Sequence, residues 1–551
     1  MFLVVCGLAD TVAAHDEATV RCRHAAVVSV SGPASDVGIA TLRRGGHAVD
    51  AAVATALALA VTFPAAGNLG GGGYLLMVPA EGDAVVLDFR EVAPAAATLD
   101  MFVDPAKRTP HRRVGVPGTL RGLAIAHQRF GRLAWRELVE PAVRLADDGF
   151  SLDVANASSL NELLRDSDKA RFAELHRVFG KPDGTAWQAG DLLVQPDLGQ
   201  TLREIAERGP ESFYVGSVAD KIVAEMQRGD GLLTKRDLAE YEPIVRQPLR
   251  GEYRGFEIIA VPPSSSGGTT LIEALNILET FRLDDERWSA QNIHRMAESM
   301  KRAYRDRARY LGDPTATPIP AFLTSKDYAR ELAAGIHPDR ATPSTELAGD
   351  IILSREGEHT THFSIVDEER NAVSLTYTLE SSYGSRVVVA GAGFLLNDEM
   401  NDFNWLPEVT DTSGQIGTVA NLVRPGKRML SSMCPTVVQR DGQTCLITGS
   451  PGGRTIINTV LCIVMNVVDF DMDIRAAVDA PRIHHGWFPD VLRLEPKLYQ
   501  EKPLLAELRS RGYRVEELRR QGDAHSIWID PISNEITGAA DRRIHGKAAG
   551  Y

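Results

Sequence analysis

The sequence predicts an α+β fold in which helices and strands form separate layers. Helical patterns dominate the chain before Thr360, strand-like patterns dominate after it, and one helical stretch lies between the later strands. A doubly wound sheet would instead show strands and helices alternating along the whole chain. A layered arrangement of helices and sheets is therefore predicted, and no internal repeat is visible.

The part of the chain before Thr360 is predicted to be mainly helical. Apolar residues recur at three- and four-residue steps between residues 119 and 149, which is typical of amphipathic helices. The apolar stretch 51–63 is shorter than a bilayer span and ends at Pro64, so a buried helix is predicted rather than a membrane segment. The other predicted elements here are strands 26–31, 74–78 and 85–89 and helices 35–44, 50–61, 193–208, 217–228, 271–281 and 292–311.

The part after Thr360 is predicted to be rich in strands. Apolar and polar residues alternate, and β-branched and aromatic residues are frequent, as half-buried strands require. A helix at 456–468 separates the central strands from a final hairpin. The predicted strands are 362–366, 372–378, 386–390, 436–440, 444–448, 525–530 and 535–539.

The composition disfavours several classes of function. The 551 residues carry a formal net charge of −13 without a basic cluster, which disfavours nucleic acid as a partner because phosphate binding needs a basic surface. The five cysteines form no CxxC or Cys/His cluster, so they are expected to be buried hydrophobic residues rather than zinc ligands or disulfides. His484 and His485 are not predicted to bind a metal, because adjacent side chains of a strand point to opposite faces.

The first residues have some features of an export signal. Residues 1–8 are apolar, and Val12-Ala13-Ala14 is similar to a signal-peptidase site, but no basic region precedes the apolar run. Residues 1–20 are therefore expected to be a signal remnant or a disordered N-terminus. No transmembrane segment is expected.

The most informative stretch for function begins at Thr360. A threonine hydroxyl is a weak nucleophile, because nothing in its own side chain accepts the proton. If the bond between His359 and Thr360 is cut, the freed α-amine, with a reference pKa of about 7.7–8.0, can act as the base. Thr360 would then hold nucleophile and base together. Taken alone, the stretch could equally be a surface hairpin whose threonines favour strands.

The residues around Thr360 and in six other stretches resemble the γ-glutamyltransferase (γ-glutamyltranspeptidase) family of N-terminal-nucleophile hydrolases. The stretches follow the family's order and spread over nearly the whole chain. The resemblance implies a four-layer αββα sandwich, in which two stacked sheets are flanked by helices. The matching stretches are 67–73 (Gly-Asn-Leu-Gly-Gly-Gly-Gly), 88–91 (Asp-Phe-Arg-Glu), 262–268 (Pro-Pro-Ser-Ser-Ser-Gly-Gly), 360–378, 396–403 (Leu-Asn-Asp-Glu-Met-Asn-Asp-Phe), 430–433 (Leu-Ser-Ser-Met) and 449–453 (Gly-Ser-Pro-Gly-Gly).

The resemblance assigns the chemistry to a few residues. Self-cleavage between His359 and Thr360 is implied to free the nucleophile, and Thr378 is implied to orient its amine and hydroxyl. Gly452 and Gly453 follow a predicted strand and precede a helix, where glycines allow a sharp turn and the first N–H groups lack partners. The family uses the matching glycines as its oxyanion hole, whereas without that context they would be an ordinary glycine-rich loop.

A second set of residues is implied to bind the amino-acid head group of the substrate. Arginine can recognise a carboxylate through two parallel hydrogen bonds, so Arg90 is implied to bind the substrate α-carboxylate, with help from Ser431 and Ser432. Glu399 and Asp402 are implied to hold the α-ammonium. Without the resemblance, Arg90 would be interpreted as a surface ion pair and the two acids as a solvated turn.

Some positions depart from the family pattern or from other motifs. Glu380 stands where many members have Asn, which is expected to change specificity at the substrate head group rather than to abolish activity. The 404–421 loop has the length of the family's active-site lid, but Ser413 replaces the Tyr of one well-known version, so gating is not predicted. The glycine run 70–73 lacks the Lys-Ser/Thr of a phosphate loop and is predicted to pack tightly near the pocket.

The resemblance implies a precursor that cuts itself into two pieces. Residues 21–359 would form a large subunit and residues 360–551 a small subunit, and the two would stay together as one globular unit. The mature enzyme would cleave γ-glutamyl amides such as glutathione through a γ-glutamyl-threonine intermediate, without a metal or organic cofactor. The acyl group would pass to water or to an amino-acid or peptide acceptor. Because the family is usually exported, a periplasmic or secreted enzyme is expected.

Other functions fit parts of the same pattern. A cephalosporin-type (glutaryl) acylase or a poly-γ-glutamate depolymerase would keep the fold and change the substrate. An arginine opposite two acids suits a free amino-acid head group, which favours a γ-glutamyl over a glutaryl substrate. A processed but inactive binding protein is disfavoured by the intact set of site residues. A serine hydrolase that uses Ser450 lacks the Gly-x-Ser-x-Gly elbow, because Thr448 occupies the first glycine position.

Overall fold

Two stacked β-sheets form the centre of the molecule. The computed structural model describes residues 17–349, 360–407, 409–413 and 417–551. Within these residues each main sheet has seven strands, and all neighbours in it are antiparallel. The strands are β1 (Thr19–Cys22), β2 (Ala26–Ser29), β3 (Gly72–Val78), β4 (Val85–Asp88), β5 (Phe150–Ser151), β6 (Leu192–Leu193), β7 (Ile244–Arg246), β8 (Leu249–Tyr253), β9 (Phe256–Ala260), β10 (Thr361–Val366), β11 (Ala372–Thr378), β12 (Thr436–Arg440), β13 (Gln443–Thr448), β14 (Ile483–His484), β15 (Leu492–Leu494), β16 (Val515–Glu517), β17 (Ser526–Ile529), β18 (Ile536–Ala539) and β19 (Lys547–Gly550).

Helices cover the outer faces of both sheets. They are α1 (Gly32–Arg43), α2 (Ala48–Thr62), α3 (Thr119–Phe130), α4 (Trp135–Asp147), α5 (Val154–Arg165), α6 (Ala173–Phe179), α7 (Pro196–Arg208), α8 (Glu211–Tyr214), α9 (Ser217–Arg228), α10 (Lys235–Glu240), α11 (Gly267–Glu279), α12 (Ala290–Tyr310), α13 (Lys326–Ala334), α14 (Ser344–Ala348), α15 (Thr455–Val468), α16 (Ile474–Asp479), α17 (Pro496–Tyr499) and α18 (Lys502–Ser510). Every residue of α2 is buried, and α2 packs on β10 and β11. On the opposite side of the molecule, α11 packs on β8, β9 and α15.

The two sheets and their helices form four layers. Sheet A has the strand order β1-β18-β17-β13-β12-β9-β8, and sheet B has the order β19-β2-β10-β11-β3-β4-β7. Along β3, Tyr74 and Leu76 belong to the hydrophobic core that contains residues of both sheets. Leu75 and Met77 belong to the core between sheet B and α2. This alternation is the one a strand shows when both of its faces are covered. The αββα sandwich is therefore confirmed.

Strands from before and after Thr360 are interleaved in both sheets. In sheet B, β2 lies between β19 and β10, and β3 lies beside β11. In sheet A, β1 pairs with β18, and β9 pairs with β12. Neither part of the chain therefore contains a complete sheet of its own.

Most predicted elements are confirmed, including strands 372–378 and 436–440 and helix 217–228, which have the predicted bounds. The predicted final hairpin is confirmed as β17 and β18. Sequence patterns did not predict β7, β8, β9 or β19. Of the predicted N-terminal segment 1–20, residues 17–20 are described, and Thr19 and Val20 already belong to β1.

The predicted strand 386–390 is wrong. This stretch belongs to a series of turns that contains only an isolated bridge between Val388 and Leu395 in the described structure. Tyr383 and Arg386 adopt φ values of 64° and 62°, which turn the chain away from an extended path.

Three of the four described cysteines are buried, as predicted. Cys434, Cys445 and Cys462 are buried, and Cys22 is half-buried. Burial raises the pKa of the Cys434 and Cys445 thiols to about 12, so they stay protonated and unreactive. Cys6 lies outside the described residues. A search of the described helices finds none with both the length and the apolar character needed to cross a membrane.

Candidate functional site

The start of β10 and the end of β11 bring two predicted residues together. Thr360 directly precedes β10, and Thr378 is the last residue of β11. Because Thr361 pairs with Tyr377 in this antiparallel ladder, the next pair along the ladder is Thr360 and Thr378. The register therefore brings Thr378 beside the predicted nucleophile. His359 lies outside the described residues.

One small cavity joins predicted site residues that are far apart in the sequence. Its volume is about 20 Å³, enough for about one water molecule. The cavity is also lined by Met433, Arg454 and Ile456, which were not predicted to belong to the site. The predicted residues that line it are Arg90, Thr360, Thr378, Glu380, Glu399, Asp402, Ser431, Ser432 and Gly453.

Arg90 is fully buried and pairs with both predicted acids. It follows the end of β4, and its guanidinium forms ion pairs with Glu399 and Asp402. A third acid, Glu91, lies 3.6 Å from the guanidinium. The interpretation of Arg90 as a surface ion pair is therefore wrong. The groups predicted to bind the two charges of a head group are paired with each other in this structure.

Burial changes the protonation of the acids beside Arg90. It raises the pKa of Glu91 to about 7, although the charge of Arg90 opposes the shift. It also raises the pKa of Glu399 well above its usual range, again against the effect of Arg90. These acids therefore take up a proton more readily than acids in water do.

Glu380, predicted to lie at the substrate head group, lines the small cavity. Its side chain is buried, and the Ser381 hydroxyl donates to its Oε2 atom at 2.5 Å. Burial raises the pKa of Glu380 well above its usual range, and the charges of Asp398 and Asp402 raise it further. A protonated carboxyl group has an O–H donor, so Glu380 can donate a hydrogen bond as an asparagine amide would.

Ser431 and Ser432 are held by residues from two other segments. The Ser432 hydroxyl accepts a hydrogen bond from Nη2 of Arg307 on α12 at 2.9 Å. The Ser431 carbonyl accepts from the Ser266 amide at 2.8 Å and from the Ser266 hydroxyl at 2.6 Å. The stretch 262–268, which matched the family without a predicted role, therefore supports the serine pair.

Gly452 and Gly453 form the turn between β13 and α15. Their φ values are 128° and 53°, which glycine adopts readily and other residues do not. Within the described residues neither of their amides donates a hydrogen bond. Gly453 lines the small cavity, and Gly452 lines a second cavity that Thr360 also lines. Two available N–H donors thus lie around the predicted nucleophile, as an oxyanion hole requires.

The second cavity, called the wide cleft here, was not predicted. Its volume is about 570 Å³, and its walls come from α5, the turn 382–386, the Pro451-Gly452 loop and the segment 518–523. Thr360 lines both this cleft and the small cavity. Apart from the Pro451-Gly452 loop, which belongs to the matching stretch 449–453, no motif in the sequence marks these walls. Of the predicted lid, residues 408 and 414–416 lie outside the described residues.

Asn68 is a site residue that sequence reasoning missed. Its side-chain amide donates to the carbonyl oxygens of Thr378 and Ala66, each at 2.9 Å. Its Oδ1 accepts from the Gly71 amide at 3.0 Å and from the Thr119 hydroxyl at 2.7 Å. A Cβ atom on Gly71 would lie 2.0 Å from the Thr378 carbonyl oxygen, so the predicted tight packing of the glycine run is confirmed. The only sequence signal was the position of Asn68 in the stretch 67–73, two residues before the glycine run.

Comparisons with known proteins agree with this geometry. Residues 34–551 match the family described as Gamma-glutamyltranspeptidase. A glutathione hydrolase proenzyme from Escherichia coli (strain K12) is 42% identical over 546 residues, which cover 97% of this chain and 93% of that protein. One from Bacillus subtilis (strain 168) is 34% identical over 549 residues, which cover 94% of this chain and 90% of that protein.

Two solved structures are also similar to the chain. A cephalosporin acylase from Bacillus halodurans has a TM-score of 0.85 at 26% identity, with 100% of this chain and 99% of that chain covered. A gamma-glutamyltranspeptidase from Helicobacter pylori has a TM-score of 0.56 at 39% identity, with 57% of this chain and 93% of that chain covered. Both matches extend over nearly the whole length of the other chain.

Proposed function

This chain belongs to the gamma-glutamyltranspeptidase family, and on that premise we propose that it is a self-processing glutathione hydrolase and γ-glutamyltransferase with Thr360 as its nucleophile. It is an enzyme of the N-terminal-nucleophile type. The observation that carries the proposal is the small cavity, where residues from Arg90 to Gly453 meet around Thr360. Such convergence of distant residues is typical of an active site.

Maturation starts with an attack by the Thr360 hydroxyl on the carbonyl of His359. The resulting ester is hydrolysed, which releases residues 1–359 and a second piece of 192 residues (551 minus 359). The α-amine of Thr360 is then free. The pieces stay associated because each sheet contains strands from both of them.

The mature Thr360 forms and resolves an acyl-enzyme. Its Oγ attacks the γ-carbonyl carbon of the substrate, and its α-amine takes the hydroxyl proton and later gives it to the leaving amine. The amides of Gly452 and Gly453 stabilise the oxyanion, where one such donor contributes about 2.7–4 kcal/mol. Thr378 orients the amine and hydroxyl of Thr360. Water or an amino-acid or peptide acceptor then takes the γ-glutamyl group.

When the substrate binds, the ion pairs of Arg90 with Glu399 and Asp402 are replaced by ion pairs between these residues and the substrate head group. Arg90 turns from Glu399 and Asp402 to the substrate α-carboxylate, assisted by Ser431 and Ser432. The two acids then bind the α-ammonium, and Glu380 contacts the same head group. Each buried charge keeps a counter-ion only when the substrate is a zwitterion, because losing one partner of a buried pair costs about 3–5 kcal/mol.

The similarity to a cephalosporin acylase makes glutaryl amides the second candidate substrates. Glutaryl and γ-glutamyl anilides differ only in the α-ammonium, so they test the two candidates directly. We expect kcat/KM to be at least about 100-fold higher for the γ-glutamyl anilide, because the glutaryl compound leaves Glu399 and Asp402 without a counter-ion. In a Glu399→Gln enzyme, we expect a smaller difference in kcat/KM between the γ-glutamyl anilide and the glutaryl anilide. A higher kcat/KM for glutaryl anilide would favour the acylase, and rapid shortening of poly-γ-glutamate would favour a depolymerase.

The intact mass of freshly purified protein tests self-processing. We expect two species that meet between His359 and Thr360, and we expect them to elute together under native conditions. A single uncut chain that still hydrolyses γ-glutamyl anilide would contradict the proposed nucleophile. The family resemblance also supports a periplasmic or secreted location, which fractionation of the producing cells measures.

A further inference from the structure

We infer that Asp523 recognises the free amine of the acceptor in the wide cleft, an inference that rests on the proposed function. In the second half of the reaction, an amine must reach the ester on Thr360 from the side that the glutamyl group leaves open. Thr360 lines two cavities, and the head-group residues Arg90 and Glu399 line the small one. The wide cleft is therefore the approach for the amine, and Asp523 forms part of its wall.

Asp523 is fixed beside the proposed oxyanion loop. Its backbone amide donates to the Ser450 hydroxyl at 3.0 Å. The preceding residue, Gly522, packs against Gly452, since a Cβ atom on Gly452 would lie 3.5 Å from the Gly522 Cα atom. Asp523 is thus attached to the same short loop that would hold the oxyanion, and it lines the same cavity as Thr360.

The Asp523 carboxylate has unused hydrogen-bonding capacity. The residue is only 1% exposed, and among the described residues neither carboxylate oxygen accepts a hydrogen bond. Nε2 of the buried His525 lies 3.0 Å from Oδ2. Burying a carboxylate without hydrogen bonds is unfavourable, so a ligand with N–H donors would be stabilised here. The ammonium or amine of an acceptor supplies such donors.

The other charges of the wide cleft complete the recognition of an amino acid or short peptide. Arg386 and Arg520 line the cleft and form no ion pair within the described residues. Two further acids of the lining are Glu162 and Asp166, of which Asp166 pairs with Arg165. The two lining arginines can bind the carboxylate of the acceptor while Asp523 binds its amine. A volume of about 570 Å³ is in the range of pockets that enclose a ligand larger than a single amino acid. The ligand class is therefore a peptide with a free amino end.

The ratio of transfer product to hydrolysis product tests the assignment of Asp523 as the residue that binds the acceptor amine. Processed enzyme is given γ-glutamyl-p-nitroanilide with glycylglycine, and γ-glutamylglycylglycine and free glutamate are quantified. We expect Asp523→Asn to lower kcat/KM for glycylglycine at least about tenfold, because a charge-assisted hydrogen bond is lost. The product mixture is expected to shift towards glutamate. Glu517→Gln removes an exposed charge outside the cleft and is expected to match the unaltered enzyme within about twofold.

A competitor that lacks the amine tests the same point without any substitution, which matters if Asp523→Asn does not fold. Glycolylglycine replaces the amine of glycylglycine with a hydroxyl. We expect its inhibition constant against transfer to be at least about tenfold higher than the KM of glycylglycine. Equal values, or an unchanged acceptor kcat/KM in Asp523→Asn, would overturn the assignment. Failure of the proposed function gives a different result, since the unaltered enzyme would then release no nitroaniline.

Discussion

Thr360→Ala is expected to leave the protein as one chain of 551 residues without measurable turnover of γ-glutamyl amides. The change removes the hydroxyl that would attack both the His359 carbonyl and the substrate, so self-cleavage and catalysis fail together. Loss of the sole nucleophile in comparable hydrolases lowers kcat on the order of 10⁴- to 10⁶-fold. Denaturing gels and intact mass measure the cut, and release of nitroaniline measures turnover.

The neighbouring threonine provides the matched control for this experiment. Thr361 is the first residue of β10 and is buried, so its hydroxyl is not available to a substrate. Thr361→Ala is expected to be cut at the same bond and to keep activity. Thr360→Ser keeps a hydroxyl and is expected to be cut, more slowly than the unaltered chain. A Thr360→Ala chain that is still cut, or still active, would assign the nucleophile to another residue.

Arg90→Met is expected to abolish detectable γ-glutamyl turnover and to lower the free energy of unfolding by about 3–5 kcal/mol. The guanidinium is buried between Glu399 and Asp402, with Glu91 3.6 Å away. Methionine fills a similar volume but leaves these acids without a counter-ion. Denaturant titration measures stability, and initial rates over a range of donor concentrations measure kcat/KM.

The solvent-exposed ion pair of Arg132 with Glu369 is a control that distinguishes the effect of burial from the effect of losing an ion pair. Arg132 binds both carboxylate oxygens of Glu369 at 2.6 Å, but the two side chains are 46% and 55% exposed. Arg132→Met is expected to cost about 0–1 kcal/mol and to keep full activity. Arg90→Lys keeps the positive charge but loses the two-pronged guanidinium hydrogen bonding. Its loss of unfolding free energy is therefore expected to lie between the losses of Arg132→Met and Arg90→Met. Equal losses at Arg90 and Arg132 would mean that the Arg90 cluster is solvated.

The elements closest to the nucleophile could be predicted from the sequence because their patterns are strong and local. Strand 372–378 alternates apolar residues (Val373, Leu375, Tyr377) with serine and threonine, and the observed strand has the same bounds. The prediction of strand 386–390 was wrong because it relied on the same kind of local pattern. Val387, Val388 and Val389 favour strands, but the positive φ values around them show that tertiary packing overrides this preference.

The contacts that complete the site could not be predicted, because they join distant segments. Asn68 binds the carbonyl of a residue 310 positions away, and no local pattern marks that partner. Motif resemblance predicted Arg90 and its acids but not that they pair with each other. The wide cleft is built from several distant segments, most of them without a motif, so only the folded chain reveals it.

The placement of β2 between β19 and β10 has a consequence for the lifetime of the processed enzyme. Before the cut, an unfolded molecule can recover by itself, since all the strands of each sheet are on one chain. After the cut, separation of the pieces exposes unpaired strand edges on both, and recovery requires an encounter between two partners. If the proposed cut takes place, we expect the lifetime of the cut enzyme to depend on its rate of unfolding rather than on the folding equilibrium.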